Sequence, residues 1–143
     1  MFSEKGKNFF NTMLSLAGKK ELKVISDQYG MPSSADSLAE LVIKICESVA
    51  NSKKISFGLY HFANHPVTTW YDFAYEIFKV SKEAGAIENV PKLIKINTID
   101  YASKTKRPMH SGLSTKKIEN NFSIKKVFWK SELAKTVKRF LKK

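Results

Sequence analysis

Asp27, Asp72 and Asp100 carry the chemistry of a carboxylate base, and His61, His65 and His110 that of a proton shuttle or a metal ligand. Their surroundings argue against both roles. The histidines form no HxH pair and lack the glutamate of HExxH, and Cys46 has no second cysteine, so a local zinc site is not expected. Asp72 stands three residues after Thr69, the spacing of a helix capping box, which accounts for it without catalysis. No GxSxG, no GxxxxGK[ST] and no Gly-rich turn after an apolar run occurs, so neither a nucleophile elbow nor a phosphate loop is predicted.

Binding chemistry has better candidates. The segment KTKRPMHS, residues 104 to 111, places Lys104, Lys106 and Arg107 in non-helical backbone, where Pro108 restrains a guanidinium whose planar fork matches phosphate oxygens. A phosphate or diphosphate clamp and a plain solvent-exposed basic loop both satisfy that pattern. A second candidate is SDQYGMPSSADSLAE, residues 26 to 40. Pro32, then Ser33 with Asp36 three residues on, start a helix, but Asp27 and Gln28 are more polar chemistry than a turn needs.

The elements that must hold these residues follow from periodicity. Phe9, Phe10, Met13, Leu14 and Ala17 predict a helix over 5–18, and ELKVIS over 21–26 a strand. Leu38, Val42, Ile45 and Val49 make a stripe on a helix ending near Ala50, with Cys46 expected to be a small buried hydrophobe beside it. ISFGLYHFA, residues 55–63, is apolar at most positions and predicts a strand covered on both faces. Thr69 opens a helix over 69–85 with Trp70, Phe73, Ala74, Ile77, Phe78 and Ser81 inward; KLIKINTI, residues 92–99, predicts a third strand. A loop over 100–113, a short helix capped by Ser114 and a last helix capped by Ser131 complete the order. Strands alternating with helices predict α/β layers joined by right-handed crossovers.

Composition bounds what such a chain can be. With 143 residues, 43% apolar and 27% charged, it has the makings of one folded unit rather than two or a disordered tail. A lone cysteine fits a reducing, cytoplasmic compartment, and neither a signal-peptide core nor an 18-residue apolar window is present. The net charge of +12 is uneven: residues 1–101 hold 12 Lys/Arg against 11 Asp/Glu, and residues 102–143 hold 13 against 2. That block suits a solvated helix face, or else a polyanion or phosphorylated ligand. A basic nucleic-acid-binding module is the competing function, although Phe122, Phe128, Trp129 and Phe140 do not interleave with the cations as a stacking platform would.

Taken in order, GKNFFNTML, ELKVISDQYGMPSSADSLAELV, GLYHFAN, TTWYDFAYEIF, KRPMHSGLSTKKIE and a final W-x-x-x-L-A helix resemble the C-terminal portion of the dTDP-4-dehydrorhamnose reductase family, within the extended short-chain dehydrogenase/reductase superfamily. The resemblance runs almost end to end. It implies an α/β fold: the substrate-binding part of the extended fold, lacking most of the Rossmann sheet. The chain would be a single truncated unit over 1–143, with residues of about 34–63 being the last helix and strand of the nucleotide-binding domain.

The activity implied for the intact family is NADPH-dependent reduction of dTDP-4-dehydro-L-rhamnose to dTDP-L-rhamnose, for surface polysaccharide. The family's Gly-rich cofactor turn and its Tyr-x-x-x-Lys pair have no counterpart here. NADPH is therefore not expected to bind this chain alone, nor the chain to turn over alone. Residue by residue, Asp27 and Gln28 match the family's DQ pair at the sugar-nucleotide side of the cleft. Arg107 matches the Arg near the nucleotide diphosphate and Ser111 the Ser after it, with a dTDP-sugar as ligand. Met31, Ser33 and His110 depart from the family's usual Ser, Thr and Asn. Separated from its sheet, the strand over 55–63 would leave an open edge, which predicts self-association or a separately encoded N-terminal half as partner.

Overall fold

The computed structural model describes residues 1–51, 57–101 and 105–142. The chain runs α1 (Phe9–Ser15), β1 (Glu21–Ile25), β2 (Tyr29–Gly30), α2 (Ala35–Ala50), β3 (Thr68–Thr69), α3 (Trp70–Glu83), β4 (Lys92–Ile96), a 3-10 turn (Thr98–Asp100), α4 (Lys116–Phe122) and α5 (Trp129–Phe140). β1 and β4 pair in parallel, Val24 opposite Lys95 and Ile25 opposite Ile96, while β2 and β3 form a short antiparallel pair. A parallel pair needs a crossover, and α3 supplies the packing part of it. Its Phe73, Ala74, Ile77 and Phe78 are almost fully buried, in one cluster with Val24 of β1 and Leu133 and Val137 of α5.

The inner face of α3 is the one the sequence predicts, Ser81 included. Thr69 caps it, its hydroxyl accepting from the Asp72 N–H at 3.0 Å and donating to the Asp72 carboxylate at 2.7 Å. The helix ends at Glu83, and Gly85 follows at φ +74°, a left-handed conformation that a side chain would disfavour.

Other ends shift, for tertiary reasons. α1 starts only at Phe9, because Asn8 caps it through the Asn11 N–H. α2 is capped by Ser34 instead of Ser33: the Ser33 hydroxyl is engaged with the Met31 carbonyl and the Asn64 N–H, leaving its neighbour to accept from the Ser37 N–H at 3.0 Å. Phe128, not Ser131, precedes α5, and the His65 carbonyl accepts the Trp129 N–H at 2.8 Å. Thr115 rather than Ser114 precedes α4, and its hydroxyl goes to Glu119.

Two expectations fail around α2. Cys46 is exposed, and so are Val42 and Val49 of the predicted stripe, at 51% and 46%. Leu41 and Ser37 are the buried positions instead. Helical periodicity identifies an apolar face, but something must cover it, and the described residues cover only the Leu41 side. There Leu41, Ile118 and Ile124 form a second, smaller cluster with Leu38, Tyr60 and Phe62 packed on it. The strand predicted over 55–63 is likewise absent from the residues described there, 57–63, because among the described residues no segment pairs with them in a ladder; residues 55 and 56 lie outside the described residues.

The clusters are joined by a buried polar staple. Asn64 Oδ1 accepts from the Ser34 N–H at 2.7 Å and from the Ser37 hydroxyl at 3.0 Å, and the Ser34 hydroxyl donates to Glu132 of α5 at 3.2 Å. Glu132, 4% exposed, also accepts from Lys135 at 2.7 Å; that hydrogen bond, with the charge behind it, raises the Lys135 pKa above its ordinary value. Arg139 reaches Asp36 and Glu4, and Lys130 reaches Glu76 at 3.3 Å. Two C-terminal cations, Arg139 and Lys130, are thus paired with acids from the rest of the chain. Trp129, 2% exposed, and Phe140, against the Phe10 ring, belong to the core rather than to a stacking platform.

Candidate functional site

The ends of β1 and β4 lie side by side, so the residues after each strand meet. Both Asp27 oxygens accept from the Thr98 N–H at 2.9 Å, and Oδ1 also accepts from the Thr98 hydroxyl at 2.7 Å. The Thr98 N–H first, and then its hydroxyl, lower the Asp27 pKa below the usual carboxylate value. Gln28, 5% exposed, donates Nε2 to the same hydroxyl at 3.1 Å. Asp100 accepts from the Asn97 N–H at 3.3 Å and so serves the turn instead of a reaction.

Tyr29 forms the next junction. On one side it pairs with Thr69 of β3. On the other its N–H donates to the Met109 carbonyl at 2.8 Å, and its carbonyl accepts the Ser111 N–H at 2.9 Å and the Ser111 hydroxyl at 3.1 Å. The His110 ring stacks on the Tyr29 ring, centroids 6.1 Å apart. A Cβ on Gly30 would come within 3.1 Å of Ser111 Oγ, so a side chain there would press on Ser111. Arg107 stands exposed just ahead of this stitched segment, in non-helical backbone as predicted; Lys104 lies outside the described residues.

Beside the junction opens a cleft of about 150 Å³, lined among others by Met1, Phe9, Gly30, Met31, Trp70 and Ser111. Pockets for whole drug-sized ligands run to roughly 300–1,000 Å³, so this one has room for a single ring. Its floor is aromatic: Phe9 lies 4.9 Å from Trp70 and 5.6 Å from Phe73, centroid to centroid.

Of the four sequence-predicted site residues, Ser111 lines the cleft, Arg107 lies four positions before it, and Asp27 and Gln28 are turned to Thr98. Periodicity placed Trp70 on an inner helix face and did not mark it as a cleft wall. Nothing local marks Thr98, whose partners lie 70 and 71 residues away.

Among the described residues no group of three His, Cys, Asp or Glu side chains can hold a metal ion. His61 and His65 lie in non-helical backbone, where a four-residue spacing does not stack two rings. His65 Nε2 meets the Thr115 hydroxyl at 2.8 Å, with Glu119 at 3.5 Å. The turns after β1 and β4 contain Asp27 and Thr98 clasped together and no glycine-rich entry to a helix, so these residues do not fit a dinucleotide diphosphate. No helix among the described residues is long and apolar enough to cross a membrane.

Comparison with known proteins agrees with this architecture. Residues 1–142 match the family model described as the RmlD substrate binding domain. A dTDP-4-dehydrorhamnose reductase of Aggregatibacter actinomycetemcomitans is 38% identical over 92% of this chain and 45% of its own length. The Bacillus subtilis spore coat polysaccharide biosynthesis protein SpsK is 37% identical over 93% of this chain and 42% of its own. Among solved structures, a dTDP-4-dehydrorhamnose reductase of Clostridium acetobutylicum superposes with a TM-score of 0.82 at 30% identity, covering 96% of this chain and 45% of that one. The Bacillus anthracis reductase in complex with NADP gives the same TM-score at 22% identity, a likeness of fold. The chain thus spans less than half the length of each of these relatives.

Proposed function

Because the chain belongs to the RmlD substrate-binding-domain family, we propose that it is the sugar-nucleotide-binding part of a dTDP-4-dehydrorhamnose reductase. The observation that carries this reading is the Tyr29 junction, which brings Ser111, four residues after Arg107, to the wall of a ring-sized aromatic cleft. In this reading the cleft takes the sugar ring of a dTDP-sugar, with Trp70 and Met31 as apolar walls and Ser111 as a hydrogen-bonding group at the edge. Arg107 meets the diphosphate, where a guanidinium pairs with two oxygens at once. Hydride chemistry would come from NADPH bound elsewhere in the reductase, and no reductive step is assigned to the residues here.

The same reading gives a role to the uncovered face. Val42, Ile43 and Val49 of α2, with Phe57 at 82% and Leu59 at 75% exposure, make the surface on which a nucleotide-binding half, or failing that a second copy, would pack. Residues of about 34–63 then belong structurally to that half, which accords with Leu38, Ile45, Tyr60 and Phe62 packing on the separate Leu41 cluster. A free, exposed Cys46 suits the reducing cytoplasm, where sugar nucleotides are processed.

Calorimetric titration of the chain with dTDP-L-rhamnose tests the reading. Saturable binding is expected, weakened about tenfold or more by Arg107→Ala, the scale of one charge-assisted hydrogen bond. Absence of heat at millimolar ligand would overturn it, and NADPH oxidation by the chain alone would overturn the assignment of hydride chemistry elsewhere.

A further inference from the structure

Resting on the sugar-nucleotide reading, we propose that Asp27, Gln28 and Thr98 are positioning residues that hold the Met109–Ser111 segment, and with it Arg107, against Tyr29, rather than contacting ligand themselves. Asp27 directs both oxygens at one residue, and the Thr98 hydroxyl gives its proton to Asp27 and accepts from Gln28 Nε2. Ending the β1–β4 ladder does not require this, because the Ser26 N–H already closes it on the Ile96 carbonyl at 2.9 Å.

The clasp also continues into the junction. Thr98 Oγ1 lies 3.8 Å from Met109 Sδ, and the Met109 carbonyl accepts the Tyr29 N–H at 2.8 Å. Tyr29 directly follows Gln28. Gln28, Thr98, Met109 and Tyr29 therefore close a ring, in which neighbouring residues of one turn grip the 3-10 turn and the Met109 backbone separately. Arg107 is two residues from one member of that ring and Ser111 two residues from the same member, so loosening Thr98 should loosen both. Neither Asp27 nor Gln28 lines the cleft, and both Asp27 oxygens and Gln28 Nε2 are already committed to Thr98.

Amide hydrogen exchange tests the clasp without any ligand. In Thr98→Val, which keeps the side chain's size and removes the hydroxyl, the Tyr29 and Ser111 amides should exchange at least tenfold faster. Those of Thr12 and Ala84, bonded within α1 and at the end of α3, should not change. Thr98→Ser should restore protection to within twofold. Unchanged exchange at Tyr29 and Ser111 in Thr98→Val overturns the proposal. Should that variant lose protection throughout α3, Asp27→Asn replaces it under the same criterion. Titration with dTDP supplies the functional arm: Thr98→Val should weaken binding five- to tenfold in the parent chain and less than twofold in Arg107→Ala. Additive effects would overturn action through Arg107. If Arg107→Ala alone leaves dTDP affinity unchanged, the sugar-nucleotide reading is what fails, and the exchange arm still decides the clasp.

Discussion

Replacing Asn64 with alanine should loosen the start of α2, by an amount that can be worked from the staple. Asn64 Oδ1 is the acceptor for the Ser34 N–H at 2.7 Å, and Ser34 is fully buried, so water cannot take its place. A buried donor left without a partner costs about 1–3 kcal/mol. The Ser37 hydroxyl loses Asn64 too but keeps the Ser34 carbonyl at 3.2 Å and the Ser34 hydroxyl at 2.7 Å, so it adds little. In the opposite direction, Asn64 Nδ2 is buried with no hydrogen-bond partner among the described residues, and the substitution removes that cost. The balance is a loss of about 1–2 kcal/mol, or about 3–10 °C in Tm for a chain of this size. Urea unfolding of both proteins, with m compared, measures it. The loss should be seen first in α2, where the Leu38 amide, bonded to the Ser34 carbonyl at 3.3 Å, should exchange faster than amides of α3. A change below about 0.5 kcal/mol, within the range of a neutral surface substitution, would refute the idea that Asn64 anchors the start of α2.

Phe73→Ala removes a side chain that is 1% exposed and touches the Phe2, Phe9 and Trp129 rings; it should cost about 3–5 kcal/mol in chemical unfolding. Ser81→Ala should leave stability unchanged or raise it by up to about 1 kcal/mol, since the buried Ser81 hydroxyl has no partner among the described residues; a clear loss in the same assay would contradict this. The Asp27 pKa lies below its ordinary 3.8 in the folded chain, so its stabilisation is present above that value and disappears as pH falls through the folded pKa. Unfolding curves of the parent and Asp27→Asn should therefore differ at pH 7 and converge as pH falls through the folded pKa. The uncovered α2 face predicts association in a sedimentation series, reduced by Val42→Glu; a compact monomer at every concentration would refute it.

The elements legible in the sequence are those whose signal is local. The apolar stripe of α3 and the Thr69–Asp72 cap needed only spacing, and β1 and β4 needed only their runs of β-branched and aliphatic residues. The motif order was enough to indicate the family. Where two adjacent serines competed to cap α2, local pattern could not choose, because the choice was made by Asn64 from thirty residues away.

What depended on tertiary structure was everything requiring a partner distant along the chain. Periodicity showed that α2 has an apolar face and that residues 55–63 could make a strand, but burial and ladders are relations between segments, and within the described residues the covering segments are absent. In the same way the sequence presents Asp27 and Gln28 as unexplained polarity. Only the parallel register of β1 with β4 brings Thr98 to them, as the partner that occupies their polar atoms. A hydrogen bond acts over about 3 Å, and no pattern along one strand can reveal what the fold places at that distance.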